Sequence, residues 1–395
     1  MQAQEVSLST LLQLEPRWGA PPNSSVRRPP AGLLVAALAV MALVLLPPLY
    51  LLLRAAEAPP GAWRWVLQPR AWQLLRNSLA LAVAVTGSAV AVAVPVAWLV
   101  ARTDLPGRRW WPSVLALPLA MPSYVGTFAL VGALRPTGIL GRWLAGEIGP
   151  WPEQGRPWLA LEGFAGAWLV LTLFTYPYVL LPVRAAWMRS DPALEEAARS
   201  LGAGRLARFV RIGLPHLAPS MTAGALVVAL YVLSDFGAVS LVRFETLTLA
   251  IYAQYAAAFD RARAALLAGM LLVLTVALHR LEQAMHRRAA VWFRTQPGSV
   301  RPAPVVRLGR WRWLAAGACL ALAAASWGLP ALSLVHWLVQ AGPGQEAIGV
   351  VVAAAGGSVG VAALAAVTAS AAALPLAYLT VRYPGPLSRW VQEPT

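Results

Sequence analysis

Side chains able to do chemistry are few in this sequence and poorly grouped for catalysis. All 32 basic residues are Arg, so the Gly-x-x-x-x-Gly-Lys-Ser/Thr phosphate loop is excluded: its Lys has no counterpart here. Four His and a single Cys, Cys319, are spread over 395 residues. They form neither a His-Glu-x-x-His pair nor a disulfide framework nor a cysteine metal site. Scattered Ser, His and Asp residues come with no nucleophile elbow, so the expectation is a protein that is not an enzyme, with no catalytic or metal residues. Two places remain. Asp235, in the run Ser234-Asp235-Phe236-Gly237, lies at the end of an apolar stretch. There a carboxylate is costly unless it faces a wet cavity or a partner; capping a helix at the interface is the alternative. Tyr124, Tyr176 and Tyr178 are further candidates to line a pathway, against interfacial anchoring or packing as the plainer role. The other place is a polar stretch, Glu196-Ala197-Ala198-Arg-Ser-Leu201-Gly202, that continues to Ile212-Gly-Leu214-Pro215.

The elements that must hold these residues are membrane spans. The chain is 58% hydrophobic and 12% charged, where a soluble domain carries about 25% charged residues. A helix needs about 20 apolar residues to cross a bilayer. Such runs fall near 31–53, 77–101, 111–134, 163–186, 220–242, 264–281, 313–339 and 350–381. The expected fold is therefore an all-α polytopic membrane protein with about eight transmembrane helices. Several runs contain Pro, which a helix bundle tolerates because neighbours satisfy the freed backbone groups. Abundant Gly, Ala, Ser and Thr permit close helix approach. The first run is too long for a signal-peptide core and has no small-residue cleavage site. A net charge of +16 without a basic stripe interleaved with aromatics argues for membrane topology rather than nucleic acid.

The polar stretch has its own local logic. Asp191 can cap a helix whose first position is Pro192. Glu195 and Glu196 then lie where carboxylates favour the helix dipole. Ala197, Ala198 and Leu201 form a small apolar surface, and Gly202 suits a left-handed residue ending the helix. A second short helix is expected to follow to Ile212, with Leu214-Pro215 turning the chain back into the membrane.

The spacing Glu196-Ala197-Ala198, three residues, Gly202, nine residues, Ile212, one residue, Leu214-Pro215 resembles the EAA loop of binding-protein-dependent ABC importers. In that family the loop is a cytoplasmic coupling helix that docks into the ATPase subunit. The segments Pro118-Leu-Ala-Met-Pro-Ser-Tyr124-Val, Ser234-Asp235-Phe236-Gly237-Ala-Val and Val242-Arg-Phe-Glu-Thr-Leu-Thr-Leu-Ala-Ile-Tyr252 are similar to the ferric-iron branch of these permeases. The resemblance implies a type I ABC importer permease of the inner membrane that carries ferric iron and couples to ATP and Mg held by a cytoplasmic ATPase dimer. It also implies an extracytoplasmic substrate-binding protein as donor. Permeases for thiamine, phosphonate, polyamine or sulfate are the alternatives within the family, and an ion-coupled secondary transporter is the alternative outside it.

Arg distribution sets the expected orientation. With the N-terminus cytoplasmic, 22 of the 32 Arg fall in inside segments and 10 outside, as the positive-inside rule requires. The EAA stretch is then cytoplasmic.

An internal repeat sets the expected organisation. A shift of 280 aligns Ser78–Trp110 with Ser358–Trp390 without gaps, matching Pro95 to Pro375, Arg102 to Arg382, Pro106 to Pro386 and Arg109-Trp110 to Arg389-Trp390. Repeats of this kind build transporters whose pathway lies between related parts. The reading divides the chain into a cytoplasmic segment 1–30, a first six-helix unit 31–281 with its coupling loop at 190–219, a basic linker 282–312 and a second unit from 313 to 395. The fused two-half pattern implies that this second unit is incomplete. The linker's plain role is topogenic, with anionic lipid as a possible contact.

Overall fold

Apolar runs of this length leave the backbone one local way to satisfy its own amides, and the computed structural model is accordingly helical. It describes residues 29–135, 138–141, 161–190, 192–290, 305–341 and 345–383, among which an isolated parallel bridge, Thr103 to Val306, is the only extended pairing. The helices are α1 (Ala31–Ala56), α2 (Pro60–Val66), α3 (Pro69–Arg102), α4 (Trp111–Val114), α5 (Ser123–Leu134), α6 (Gly163–Arg189), α7 (Pro192–Ser200) and α8 (Arg205–Arg208). They continue with α9 (Leu214–Ser234), α10 (Gly237–Leu241), α11 (Leu247–Tyr252), α12 (Arg261–Ala290), α13 (Trp311–Ala323), α14 (Leu329–Ala341) and α15 (Gln345–Arg382). Expectations that fall outside the described residues are the cap at Asp191, the segment 1–28, most of the loop after 135, the linker's middle and the repeat's Pro386, Arg389 and Trp390.

Among the described residues seven helices are long and apolar enough to cross a membrane, and a bent helix pair brings the number to eight when it is counted as one broken span. Where 111–134 reads as one helix in sequence, the segments starting at Trp111 and Ser123 meet at 99°. Pro118 and Pro122 supply no amide to the turn before them, and Pro122 holds Met121 extended at φ −105°, ψ 120°. The run 220–242 also differs from its reading, because α9 stops at Ser234 and a short α10 follows. Ser234 bonds back to the Tyr231 carbonyl and Asp235 turns extended, so local polar side chains compete with the next helical turn. At its other end α9 is entered through a π turn, Phe209–Gly213. Pro215 sits in the first turn of the helix, where a missing N–H costs nothing. Leu214-Pro215 therefore starts the span.

Contacts divide the chain into two units, Tyr50–Pro343 and Met1–Leu49 with Gly344–Thr395. In the larger unit α6 is the most enclosed span, with 56% of its central window buried. It packs against α3 and α9. Along α3 the buried positions Ser78, Leu81, Val85, Ala89, Ala93 and Ala97 recur every three or four residues, one stripe of a 3.6-residue helix. The Ala residues in that stripe let the α6 backbone approach. Hydroxyls inside the spans mostly bond their own helix: Thr127, Thr172, Thr175 and Thr222 each donate to the carbonyl four residues back. In the smaller unit, α15 repeats the plan of α3 as one long helix with Pro375 and Arg382 at the spacing of Pro95 and Arg102. Its side chains are exposed along nearly the whole length.

Gly224 of α9 marks the tightest approach to α6, since a Cβ there would sit 2.8 Å from the Val179 Cα and 2.9 Å from the Tyr178 carbonyl oxygen. Backbone cannot yield as a side chain can. Gly224→Val is expected to cost about 1–3 kcal/mol and to lower the melting temperature in detergent. Gly269→Val, where a Cβ meets nothing within 4 Å, should leave it unchanged.

Candidate functional site

The connection between α6 and α9 is where the sequence places the coupling loop. α7 ends in two backbone bonds around a left-handed Gly: Ala203 N–H donates to the Ala198 carbonyl at 2.9 Å and Gly202 N–H to the Arg199 carbonyl at 3.0 Å. Gly202 has φ +80°. This is a Schellman closure, which satisfies the orphan carbonyls of a helix end and needs a residue without Cβ strain. The closure leaves Leu201 outside the helix, and it is 87% exposed. Glu196 and Ala197 are exposed as well, and Ala198 is half-buried. Ile212 lies half-buried within the π turn, and Leu214 and Pro215 open α9. The site therefore offers a protruding apolar residue and a carboxylate on a short, firmly ended helix.

Beneath this loop lies a cluster that sequence reasoning missed. The buried Trp187 ring, near the end of α6, stacks on Phe209 at 6.1 Å and 20°. The Arg102 guanidinium covers the same ring at 5.4 Å and donates to Ser190 Oγ at 3.0 Å. Ser190 in turn donates to the Trp187 carbonyl. Gly213 leaves the room, for its Cβ would lie 2.9 Å from the Trp187 ring. The ends of α3, α6 and α9 are thus joined where the loop leaves the bundle. A buried cation stacked on an aromatic face is held by the ring's quadrupole, worth about 1–2 kcal/mol. The only sequence signal is Arg102 recurring as Arg382 in the internal repeat.

The pathway candidates separate in space. Asp235 is buried, and both its oxygens are used: Oδ1 accepts the Ala238 N–H at 2.8 Å and Oδ2 accepts the Ser123 hydroxyl. It thereby ties the start of α10 to the start of α5, at the broken span. Tyr124, next to it, is half-exposed and packs against Gly237, whose Cβ would lie 2.8 Å from the Tyr124 Cβ. Tyr176 is fully buried and donates to the Leu115 carbonyl at 2.9 Å, closing the backbone just after α4. Tyr178 pairs with Tyr231 at 5.7 Å. Both line a cavity of about 460 Å³, together with Val227, Leu230, Leu233, Ser234, Leu271 and Thr275. Among the described residues no three His, Cys, Asp or Glu side chains come together to hold a metal ion.

A family profile described as "Binding-protein-dependent transport system inner membrane component" matches residues 90–291, which hold the broken span, the α6–α9 loop and Asp235. The chain belongs to this permease family. It is 29% identical over 374 residues to the Fe(3+)-transport system permease protein FbpB 2 of Haemophilus influenzae, covering 93% of this chain and 68% of that one. It is also 29% identical over 176 residues to the molybdenum transport system permease protein ModB of Escherichia coli, covering 44% of this chain and 72% of that one. Among solved structures, a chain of a bacterial alginate ABC transporter, crystallised with an alginate pentasaccharide-bound periplasmic protein, superimposes with a TM-score of 0.53 at 17% identity. That match covers 65% of this chain and 94% of the other. The protein is thus a multi-pass membrane protein with the fold of an ABC importer permease, a transport component of a binding-protein-dependent system.

Two side chains of this permease carry most of the local order, and their removal is measurable. Trp187→Ala should cost about 3–5 kcal/mol and loosen the loop, seen as faster protease cleavage between α7 and α9 at unchanged membrane insertion. Asp235→Ala leaves a buried amide and a buried hydroxyl without their acceptor, at about 1–3 kcal/mol. It should lower the melting temperature more than Ser123→Ala does.

Proposed function

We propose that this permease belongs to an ATP-driven importer for ferric iron and that α7 with Leu201 is its docking element for a cytoplasmic ATPase subunit. The observation that carries the reading is the Schellman-closed α7. It presents Glu196, Ala197 and Leu201 to solvent at the spacing of the EAA pattern, while Gly202 at φ +80° ends the helix. Leu201, exposed at a helix end, has no cover among the described residues, and a groove on another subunit would cover it. The N-terminus and the α6–α9 loop lie in the cytoplasm in this reading, following the Arg bias, with ATP and Mg on the partner. A periplasmic binding protein delivers the cargo, as the alginate relative's complex with one suggests.

Closure of the ATPase dimer displaces α7, and the Trp187–Phe209 stack hands that displacement to α6 and α9. Rigid-body tilting of packed helices then exposes the pathway alternately to either side. Tyr124, Tyr178 and Asp235 border that pathway, with Tyr176 holding the broken span behind it. Residues 31–281 and 313–395 are two related units joined by the linker 282–312.

Ferric iron is preferred because the ferric relative aligns over 93% of the chain and the molybdenum relative over 44%. The second reading, a tetrahedral oxyanion such as molybdate, is favoured by the molybdenum relative's 29% identity over 176 residues, with 72% of that protein covered. Cells lacking their own permease and supplied with this chain, its ATPase and its binding protein should accumulate radioactive ferric iron and not molybdate. The reverse result would establish the oxyanion. For the docking element, Leu201→Glu and Glu196→Arg should reduce co-purification of the ATPase by tenfold or more, the loss of about 1.4 kcal/mol or above. Normal co-purification of both variants would overturn it.

A further inference from the structure

We infer that residues 305–341 form a tie that carries displacement of the coupling loop to the broken span, an inference that rests on the coupling reading. The tie has two anchored ends. At one end, the segment before α13 pairs with the chain just after α3. Val306 N–H donates to the Arg102 carbonyl at 2.8 Å, Asp104 N–H donates to the Val306 carbonyl at 3.2 Å, and the Asp104 carboxylate accepts the Leu308 N–H at 2.8 Å. Arg102 is also the residue whose guanidinium covers Trp187 and bonds Ser190. The segment and the coupling loop therefore share one anchor. Thr103, between the two bonded residues, is fully buried.

At the other end, Trp337 of α14 occupies the space left by Gly132 of α5, where a Cβ would fall 2.4 Å from its ring, and it packs on Phe128 at 5.3 Å. Between the ends, Trp311–Gln340 is a single span of 30 residues. Cys319 and Ala323 of that span lie in the same buried cluster as Tyr176 and Leu180 of α6. At 1.5 Å per residue the path from Trp311 to Trp337 is about 39 Å long, the depth of a bilayer. α13 and α14, with the π turn Ala324–Gly328 between them, are hydrogen-bonded at one end and wedged by a ring at the other, so they link the two anchors along one packed path and a displacement at one end is passed to the other. Main-chain bonds make the anchor at 102–104 and 306–308 independent of side-chain chemistry save for Asp104, and Val306→Pro removes one donor without touching the coupling loop.

The test uses the permease purified with its ATPase, with Cys319→Ser as background. The pair Thr103→Cys and Val306→Cys should form a disulfide both without nucleotide and in the ATP-trapped state, since the tie stays attached throughout the cycle. Asp104→Ala combined with Val306→Pro should leave ATPase co-purification at the level of the unaltered chain. It should lower uptake of the ion that the unaltered chain carries, ferric iron or molybdate, by about tenfold, as expected from losing a hydrogen bond to a charged group and a backbone bond. Asp104→Ala alone should lower that uptake in the same direction, and in this background the Thr103→Cys and Val306→Cys disulfide should restore it. No disulfide, a disulfide lost on ATP trapping, or full uptake by the doubly altered chain would each overturn the tie. Failure of the ATPase to co-purify with the unaltered chain would instead sink the coupling reading, and the tie with it.

Discussion

An apolar surrounding offers the backbone no water, and every interruption of a helix must be repaired from within the protein. This constraint accounts for the polar side chains gathered at the two breaks. The broken span exposes backbone around residues 115–123, and Tyr176 reaches across from α6 to the Leu115 carbonyl. The break after α9 is longer, from Asp235 to Thr246, and its repair uses four elements. Asp235 accepts from Ala238, Thr248 donates to the Asp235 carbonyl, the Gly163 amide donates to the Val242 carbonyl, and Asn77 and Ser78 of α3 serve Glu245 and Leu247. Both breaks converge on one contact, the Ser123 hydroxyl on Asp235. A carboxylate is the residue able to accept from both sides at once.

Packing obeys a second rule, that helices in an apolar medium associate through close contact rather than through hydrophobic exclusion. The Ala stripe of α3 and Gly224 of α9 bring backbones together around α6. Where three spans end together, small residues give way to the opposite solution, a large ring. Trp187 fills the gap among α3, α6 and α9, stacked by Phe209 and covered by Arg102. The charge on Arg102 is tolerated there because the ring face and the Ser190 hydroxyl take up its donors and its field. The same residue's carbonyl receives Val306, so one position holds the loop, the bundle and the segment leading to α13.

The cavity beside Tyr178 and Tyr231 is lined mainly by aliphatic side chains. In the proposed reading, an ion handed over by a binding protein needs a weak, transient path, since tight ligation would trap it. The docking proposed for α7 asks only for a rigid short helix with an exposed apolar residue, which the Schellman closure provides at small cost.

Helical class, membrane residence, the number of spans and the EAA pattern were legible in the sequence, because apolar run length and fixed spacing of Gly202, Leu214 and Pro215 are one-dimensional signals. Gly202 as the left-handed end of α7 was readable for the same reason: it depends on local backbone geometry alone. Helix breaks were misplaced where local and long-range effects compete. The run 220–242 is apolar apart from Asp235 and a few hydroxyls, yet the helix ends at Ser234, where local polar bonds compete with the next turn and Ser123, over a hundred residues away in sequence, supplies the partner that holds Asp235 buried. The run 111–134 passes the same hydropathy test, and its Pro118 and Pro122 bend it because Tyr176 is in place to satisfy the opened backbone. Arg102, Trp187, Phe209 and Val306 carry no motif, and only the fold brings them within contact. The sequence by itself determined which segments are apolar enough to span and which short pattern could face a partner, since both follow from local composition. Tertiary structure alone decided where the spans break and what joins their ends, since those choices depend on hydrogen-bond partners that lie far apart along the chain.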